Sequence, residues 1–176
     1  MGSAGLQSGI ALVTGASRGL GREVAVQLAA RGFTVVAGMR KPEAIPGLEP
    51  LSLDVADEAS IQAAASQIRA RHGRLDLLVN NAGVLLDGSA GLLDLPLETL
   101  RRTLETNALG PLRLAQILAP LMPEGGRIVN VSSGGGQLNE PSAWAPAYCI
   151  SKTALNAVTV QLAEALRARG IAVNAV

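Results

Sequence analysis

Tyr148 and Lys152 stand four residues apart at the head of an apolar-periodic stretch, a spacing that puts both side chains on one face of a helix. A phenol titrates near ~10 and moves protons sluggishly at neutral pH, but a fixed ammonium beside it favours the phenolate and lowers that value. On a helix with no ligand nearby the same spacing is packing plus a solvated charge. Far upstream, Gly15, Gly19 and Gly21 follow a short hydrophobic run and open a helical pattern. Glycines in that setting let the backbone approach a pyrophosphate at a helix N-terminus. Their spacing is GxxxGxG and not the GxGxxG dinucleotide fingerprint. A proton donor joined to a dinucleotide turn points to nicotinamide-dependent hydride transfer.

Those residues need elements to hold them. Short β-rich runs alternate with longer helical patterns along the chain, which predicts a parallel sheet covered on both faces. The predicted strands are Ile10–Thr14, Phe33–Gly38, Pro50–Leu53, Leu75–Asn80, Arg127–Ser132 and Ile171–Ala175. The predicted helices are Gly19–Arg31, Asp57–His72, Leu97–Leu121 and Ala147–Arg169. Every polar motif then falls at the carboxyl end of a strand, where open α/β sheets bind ligands. Between the second and third strands Met39 to Glu49 carries Pro42 and Pro46, so no full crossover helix fits there. Residues 1–9 read as a flexible leader and 10–176 as one domain, C-terminally incomplete because the chain stops within its sixth strand.

Composition narrows the function classes. With 176 residues, 48% hydrophobic but 2% aromatic, the core must be built from Ala, Val, Leu and Ile. A formal net charge of +1 gives no basis for a nucleic-acid or anionic-membrane surface. One cysteine, Cys149, and one histidine, His72, exclude an internal disulfide and argue against a thiolate or zinc site. No apolar run approaches the roughly 20 residues of a membrane span. The expectation is a soluble, cytoplasmic protein that holds no metal.

Charge at the end of the second strand bears on the cofactor. An acid there would bond the ribose hydroxyls of NAD and repel the extra phosphate of NADP. The positions read Gly38, Met39, Arg40, Lys41, and Arg18 lies inside the glycine turn. Two guanidinium forks flanking a phosphate favour NADP(H) over NAD(H); the alternative is two solvated surface arginines.

Taken in order, these motifs resemble the short-chain dehydrogenase/reductase superfamily. Thr14-Gly15-Ala16-Ser17-Arg18-Gly19-Leu20-Gly21 is similar to its cofactor turn, Asp54-Val55 to its adenine-side acidic position, and Asn80-Asn81-Ala82-Gly83 to its motif after the fourth strand. Asn107 falls where its helix asparagine is expected, Ser132-Ser133 ends the fifth strand, and Tyr148 with Lys152 make its YxxxK pattern. The Arg40 position, the short second crossover and Leu138 to Tyr148 resemble its NADPH-dependent, carbonyl reductase-like branch. The 15-residue step from Ser133 to Tyr148 is longer than many members show.

The resemblance implies a Rossmann-type doubly wound sheet of order 3-2-1-4-5-6 and a carbonyl or alcohol substrate. By the same resemblance Tyr148 is the general acid/base, and Lys152 lowers its pKa and bonds the nicotinamide ribose. Ser133 orients the carbonyl, Ser132 points elsewhere, and Asn107 holds a water that links Lys152 to solvent. Asn107 can equally bond a neighbouring backbone group. Gly15, Ser17, Arg18, Gly19, Leu20, Gly21 and Arg40 are implied cofactor contacts. Asn81, Ala82 and Gly83 are implied to line the adenine ribose and pyrophosphate. Asp54 accepts from the adenine, with Val55 contributing its backbone, or else Asp54 is a turn or cap residue. Helices 97–121 and 147–169 are the family's dimer and tetramer surfaces. The competing reading is a nucleotide-binding sensor or scaffold that turns nothing over.

Overall fold

The structure is a computed structural model, and it describes residues 8–88, 91–139 and 144–176. The leader is thus outside the described residues except for Ser8 and Gly9, as are parts of the loops at 85–93 and 137–144.

Six strands form one sheet: β1 (Gly9–Thr14), β2 (Phe33–Met39), β3 (Glu49–Ser52), β4 (Leu77–Asn80), β5 (Arg127–Asn130) and β6 (Ala172–Ala175). Their order is β3-β2-β1-β4-β5-β6 and every pairing is parallel, as the motif order implied. The winding reverses between β1 and β4, and the crevice outside their carboxyl ends is the switch point where such sheets bind ligands. Strand alternation divides the core: Leu12 joins the apolar cluster on one face, Ala11 and Val13 the cluster on the other.

The main helices are α1 (Gly19–Ala30), α2 (Glu58–His72), α3 (Leu97–Leu104), α4 (Gly110–Leu118) and α5 (Pro146–Leu166). The segment after β2 holds no helix, as the two prolines require. Leu48 N–H bonds the Ile45 carbonyl at 3.0 Å, and Ile45 and Leu48 tuck into the core. Asp57 caps α2 by accepting from the Ala59 N–H, and Gly73 ends it in the left-handed conformation.

Two boundaries differ from expectation. The stretch read as one helix over Leu97–Leu121 is divided: a π turn at Glu105–Leu109 separates α3 from α4, and a 3₁₀ turn over Ala119–Leu121 closes it. Gly110 sits where the second half crosses β3's continuation. A Cβ there would lie 2.5 Å from the Val55 carbonyl oxygen, so close backbone approach forces glycine. Several predicted strands also run one or two residues beyond the ladder, since Leu75, Leu53, Val131 and Ile171 are flanking residues. Leu53 and Val131 still donate one backbone bond each to the neighbouring strand, to the Met39 and Asn80 carbonyls at 2.9 Å, while Leu75 and Ile171 are buried without joining the ladder.

Candidate active site

The cleft at the switch point measures about 950 Å³, and its walls include Gly15, Ser17, Arg18, Gly19, Leu20, Gly21, Arg40, Asp54, Val55, Asn81, Ala82 and Gly83. Every cofactor residue expected from sequence, apart from the Tyr148–Lys152 pair, therefore meets in one cavity. Sequence reasoning missed Glu43, Val84 and Thr106 on the same walls, none of which belongs to a recognisable motif.

The glycines are required by space. Gly15 has φ +67° and a Cβ on it would stand 2.9 Å from the Ala82 Cα, while one on Gly21 would stand 2.3 Å from Asn81 Nδ2. Thr14 and Asn81 lock the turn to the loop after β4. The Asn81 and Ala82 N–H groups donate to Thr14 Oγ1 at 3.0 and 2.9 Å, and Asn81 Nδ2 donates to the Thr14 carbonyl at 3.0 Å. The N-terminus of α1 faces this space with no side-chain cap and no acid in its first turn, so its N–H groups remain available to an anion. At the far wall Arg18 and Arg40 are exposed, and among the described residues neither has an ion-pair partner. Asp54 lines the cleft while its Oδ1 accepts from the Ala56 N–H at 3.0 Å, so it is a turn residue as well as a wall residue.

Gly83 joins the cleft to Asn107 and Lys152. A Cβ on it would lie 3.4 Å from Asn107 Oδ1 and 3.8 Å from Lys152 Nζ. Lys152, 4% exposed, donates from Nζ to the Val131 carbonyl at 2.7 Å, and its ammonium lies 5.5 Å from the Tyr148 ring centre. Burial lowers its pKa from the ordinary 10.5 to about 8. Tyr148 is half-buried and meets Trp144 edge-on at 6.2 Å.

The two serines behave differently. Ser132 Oγ donates to Asn156 Oδ1 at 2.6 Å, while Ser133 Oγ accepts from the Gly135 N–H at 3.1 Å. Accepting that bond leaves the Ser133 hydroxyl hydrogen to bond another group. Asn107 is fully engaged by protein: it accepts from the Val84 N–H at 2.8 Å and donates to the Val84 carbonyl and to Ser151 Oγ at 2.8 and 2.9 Å. Of the two roles open to it, its side chain performs the backbone-bonding one. Asn80 ties β4 to β5 through Asn130 at 2.8 Å. Cys149 Sγ donates to the Trp144 carbonyl at 3.1 Å, and burial, with the Asp87 carboxylate adding to it, pushes its thiol pKa up. That is the opposite of an activated thiolate. Among the described residues no cluster of side chains could hold a metal ion, and no helix is long and apolar enough to cross a membrane.

Residues 9–176 match the short chain dehydrogenase family. The chain belongs to that family. It is 36% identical to the 3-oxoacyl-(acyl-carrier-protein) reductase FabG of Escherichia coli over 183 aligned positions, covering 95% of this chain and 71% of the reductase. Among solved structures, a short-chain dehydrogenase from Streptomyces avermitilis superposes with a TM-score of 0.87 at 38% identity, covering 96% of this chain and 64% of that one. A metagenomic short-chain oxidoreductase in complex with NADP gives 0.86 at 34% identity, covering 94% of this chain and 79% of that one. The chain thus spans about two thirds of the length of these relatives. Short-chain dehydrogenases are oxidoreductases acting on small molecules.

Proposed function

We propose that this chain binds NADP(H) in preference to NAD(H) and transfers hydride between the nicotinamide and a carbonyl or alcohol substrate, with Tyr148 as general acid/base. The observation that carries this reading is the buried Lys152 ammonium beside the Tyr148 ring at the Gly83 end of the cleft. When bound, the cofactor supplies or accepts the hydride. Tyr148 then gives the carbonyl oxygen its proton, so that no free alkoxide accumulates. Lys152 favours the phenolate by which Tyr148 recovers its proton. Ser133 donates its free hydroxyl hydrogen to the substrate oxygen, and Ser132, spent on Asn156, does not. Asn107 holds the Val84 loop against Ser151, one residue before Lys152, and so fixes the lysine's surroundings.

Preference for NADP(H) rests on Arg18 and Arg40, two guanidinium groups without an ion-pair partner among the described residues, with no carboxylate at the position after β2. The 3-oxoacyl reductase activity of the FabG relatives, together with exposed Leu85, Leu86, Leu138 and Trp144 on the loops flanking Tyr148, supports a ketone or β-keto acyl group with an apolar substituent. Self-association through α3, α4 and α5 is supported by exposed Leu97, Leu109, Ile150 and Val160.

The test is titration with NADPH and NADH by nicotinamide fluorescence, followed by turnover of ketones and β-keto thioesters with Tyr148→Phe alongside. NADPH binding with turnover abolished in the variant is the expected result. Tight NADPH binding with no turnover of any carbonyl would replace the enzyme reading with that of a sensor or scaffold.

A further inference from the structure

The active-site helix begins without a cap of its own. Ala145, at its N-cap, has φ +47° and no side chain that can accept a hydrogen bond, and it is the one non-glycine residue with positive φ among the described residues. A bulkier or β-branched residue would be strained there. Pro146 begins the helix and has no N–H to satisfy. The next N–H, that of Ala147, is fully buried and donates to Asp87 Oδ2 at 2.6 Å, across 60 residues of sequence. Asp87 is 5% exposed, and its Oδ1 is buried with no hydrogen-bond partner among the described residues. A buried carboxylate with a bare oxygen is costly. The bond it does make is charge-assisted and sits at the positive end of a 21-residue helix, the place where a carboxylate gains most.

Asp87 belongs to the same loop that carries Asn81, Ala82 and Gly83. That loop is fastened to the glycine turn by Asn81, to the π turn by Val84 through Asn107, and to α5 by Asp87. The residue that follows Ala147 is Tyr148. We propose that Asp87 is a positioning residue for the reaction: by capping α5 at Ala147 it sets where the Tyr148 hydroxyl stands relative to the cofactor cleft, without itself touching substrate or exchanging a proton. This rests on the reading of Tyr148 as proton donor.

The perturbation is Asp87→Ala, which removes the cap, beside Asp87→Asn, which keeps an oxygen that can accept from the Ala147 N–H. Tyr148 is the chain's one tyrosine, so its ring carbon–proton resonances are self-identifying and report its environment without any turnover. In Asp87→Ala the ring signals shift or broaden and Ala147 amide exchange accelerates. In the same variant kcat falls more than about tenfold, KM and the NADPH dissociation constant stay within about threefold, and the pH profile keeps its midpoint. Asp87→Asn restores the ring signals, the amide protection and kcat to within about threefold. Unchanged tyrosine signals and kcat within twofold in a folded Asp87→Ala protein overturn the inference. So does an Asp87→Asn variant as impaired as Asp87→Ala with its Ala147 amide still protected, since the charge and not the cap would then be what matters. Where Asp87→Ala does not fold, the Asp87→Asn arm decides by those same readouts. A parent protein that turns over no carbonyl defeats the proposed function, and the tyrosine and amide signals still decide the role of Asp87.

Discussion

Lys152 makes the strongest quantitative prediction, because its pKa is set by one cause. Burial alone moves it from 10.5 to about 8, and its bond to the Val131 carbonyl is available to the amine and the ammonium alike. Because the folded value lies below the unfolded one, the charge costs stability, and the cost is fully present below pH 8. As pH rises from about 8 toward 10.5 the folded lysine gives up its proton while the unfolded chain keeps it, so unfolding free energy climbs. The interval corresponds to about 3 kcal/mol. Lys152→Met removes the buried charge but leaves the Val131 carbonyl without its donor, which costs about 1 kcal/mol. The variant should therefore be more stable than the parent by about 2 kcal/mol at pH 7, an advantage that disappears by pH 10. Urea unfolding of both proteins at the two pH values checks this. The chain has two lysines, Lys41 and Lys152, so proton–carbon spectra of Lys41→Arg read the Lys152 side chain directly. Its midpoint should lie near 8 without cofactor and move up when the phosphates of NADP add negative charge to the cleft. A midpoint at 10 or above, or a Lys152→Met protein less stable than the parent at pH 7, would refute the argument from burial.

Four further outcomes follow from the site. Arg40→Asp should weaken NADPH binding by tenfold or more while leaving NADH within a few-fold, read by the same fluorescence titration. Tyr148→Phe should lower kcat by about 10² to 10⁴ with NADPH affinity unchanged, read by nicotinamide absorbance under saturating cofactor. Gly21→Ala places a Cβ 2.3 Å from Asn81 Nδ2 and 2.5 Å from the Gly15 carbonyl; it should abolish cofactor binding and cost about 1–3 kcal/mol of stability, checked by titration and urea unfolding. Gly110→Ala, with its Cβ 2.5 Å from the Val55 carbonyl, should destabilise by a similar amount and shift the Asn107 side of the site, seen as a lowered denaturation midpoint.

The glycines of the turn after β1 were readable from sequence. Gly15 and Gly21 must be glycine because backbone and Asn81 fill the space a Cβ needs, and that demand shows as a pattern. The strand order was readable because the motifs sit at strand ends in a set order. What was not readable depends on contacts far apart in the chain. Nothing local in Glu105–Leu109 marks a π turn, within which Asn107 bonds the Val84 backbone 23 residues away. Asp87 looks like a loop carboxylate until α5 is folded against it. Glu43 lines the cleft from the helix-free link after β2, where no motif marks it.

The position of α5 shows how such distant contacts decide function. Its middle is pinned to the sheet by a buried chain: Asn80 donates to Asn130, Asn130 to Thr159 at 2.8 Å, and Thr159 to the Leu155 carbonyl at 2.8 Å. Ser132 and Asn156 add a second link nearby. These bonds fix the helix axis relative to β4 and β5, yet none acts on the first turn, where an error in angle displaces the Tyr148 hydroxyl most. Apolar packing cannot supply the missing restraint, because it tolerates small rotations that a directional bond does not. Asp87 supplies it at the N-terminus. The Lys152–Val131 bond supplies another from the strand-end side, one turn further along the same helix face. The tyrosine is thereby held between a cap before it and a clamp after it, and in its proposed role as proton donor it can meet the narrow geometry that hydride transfer sets.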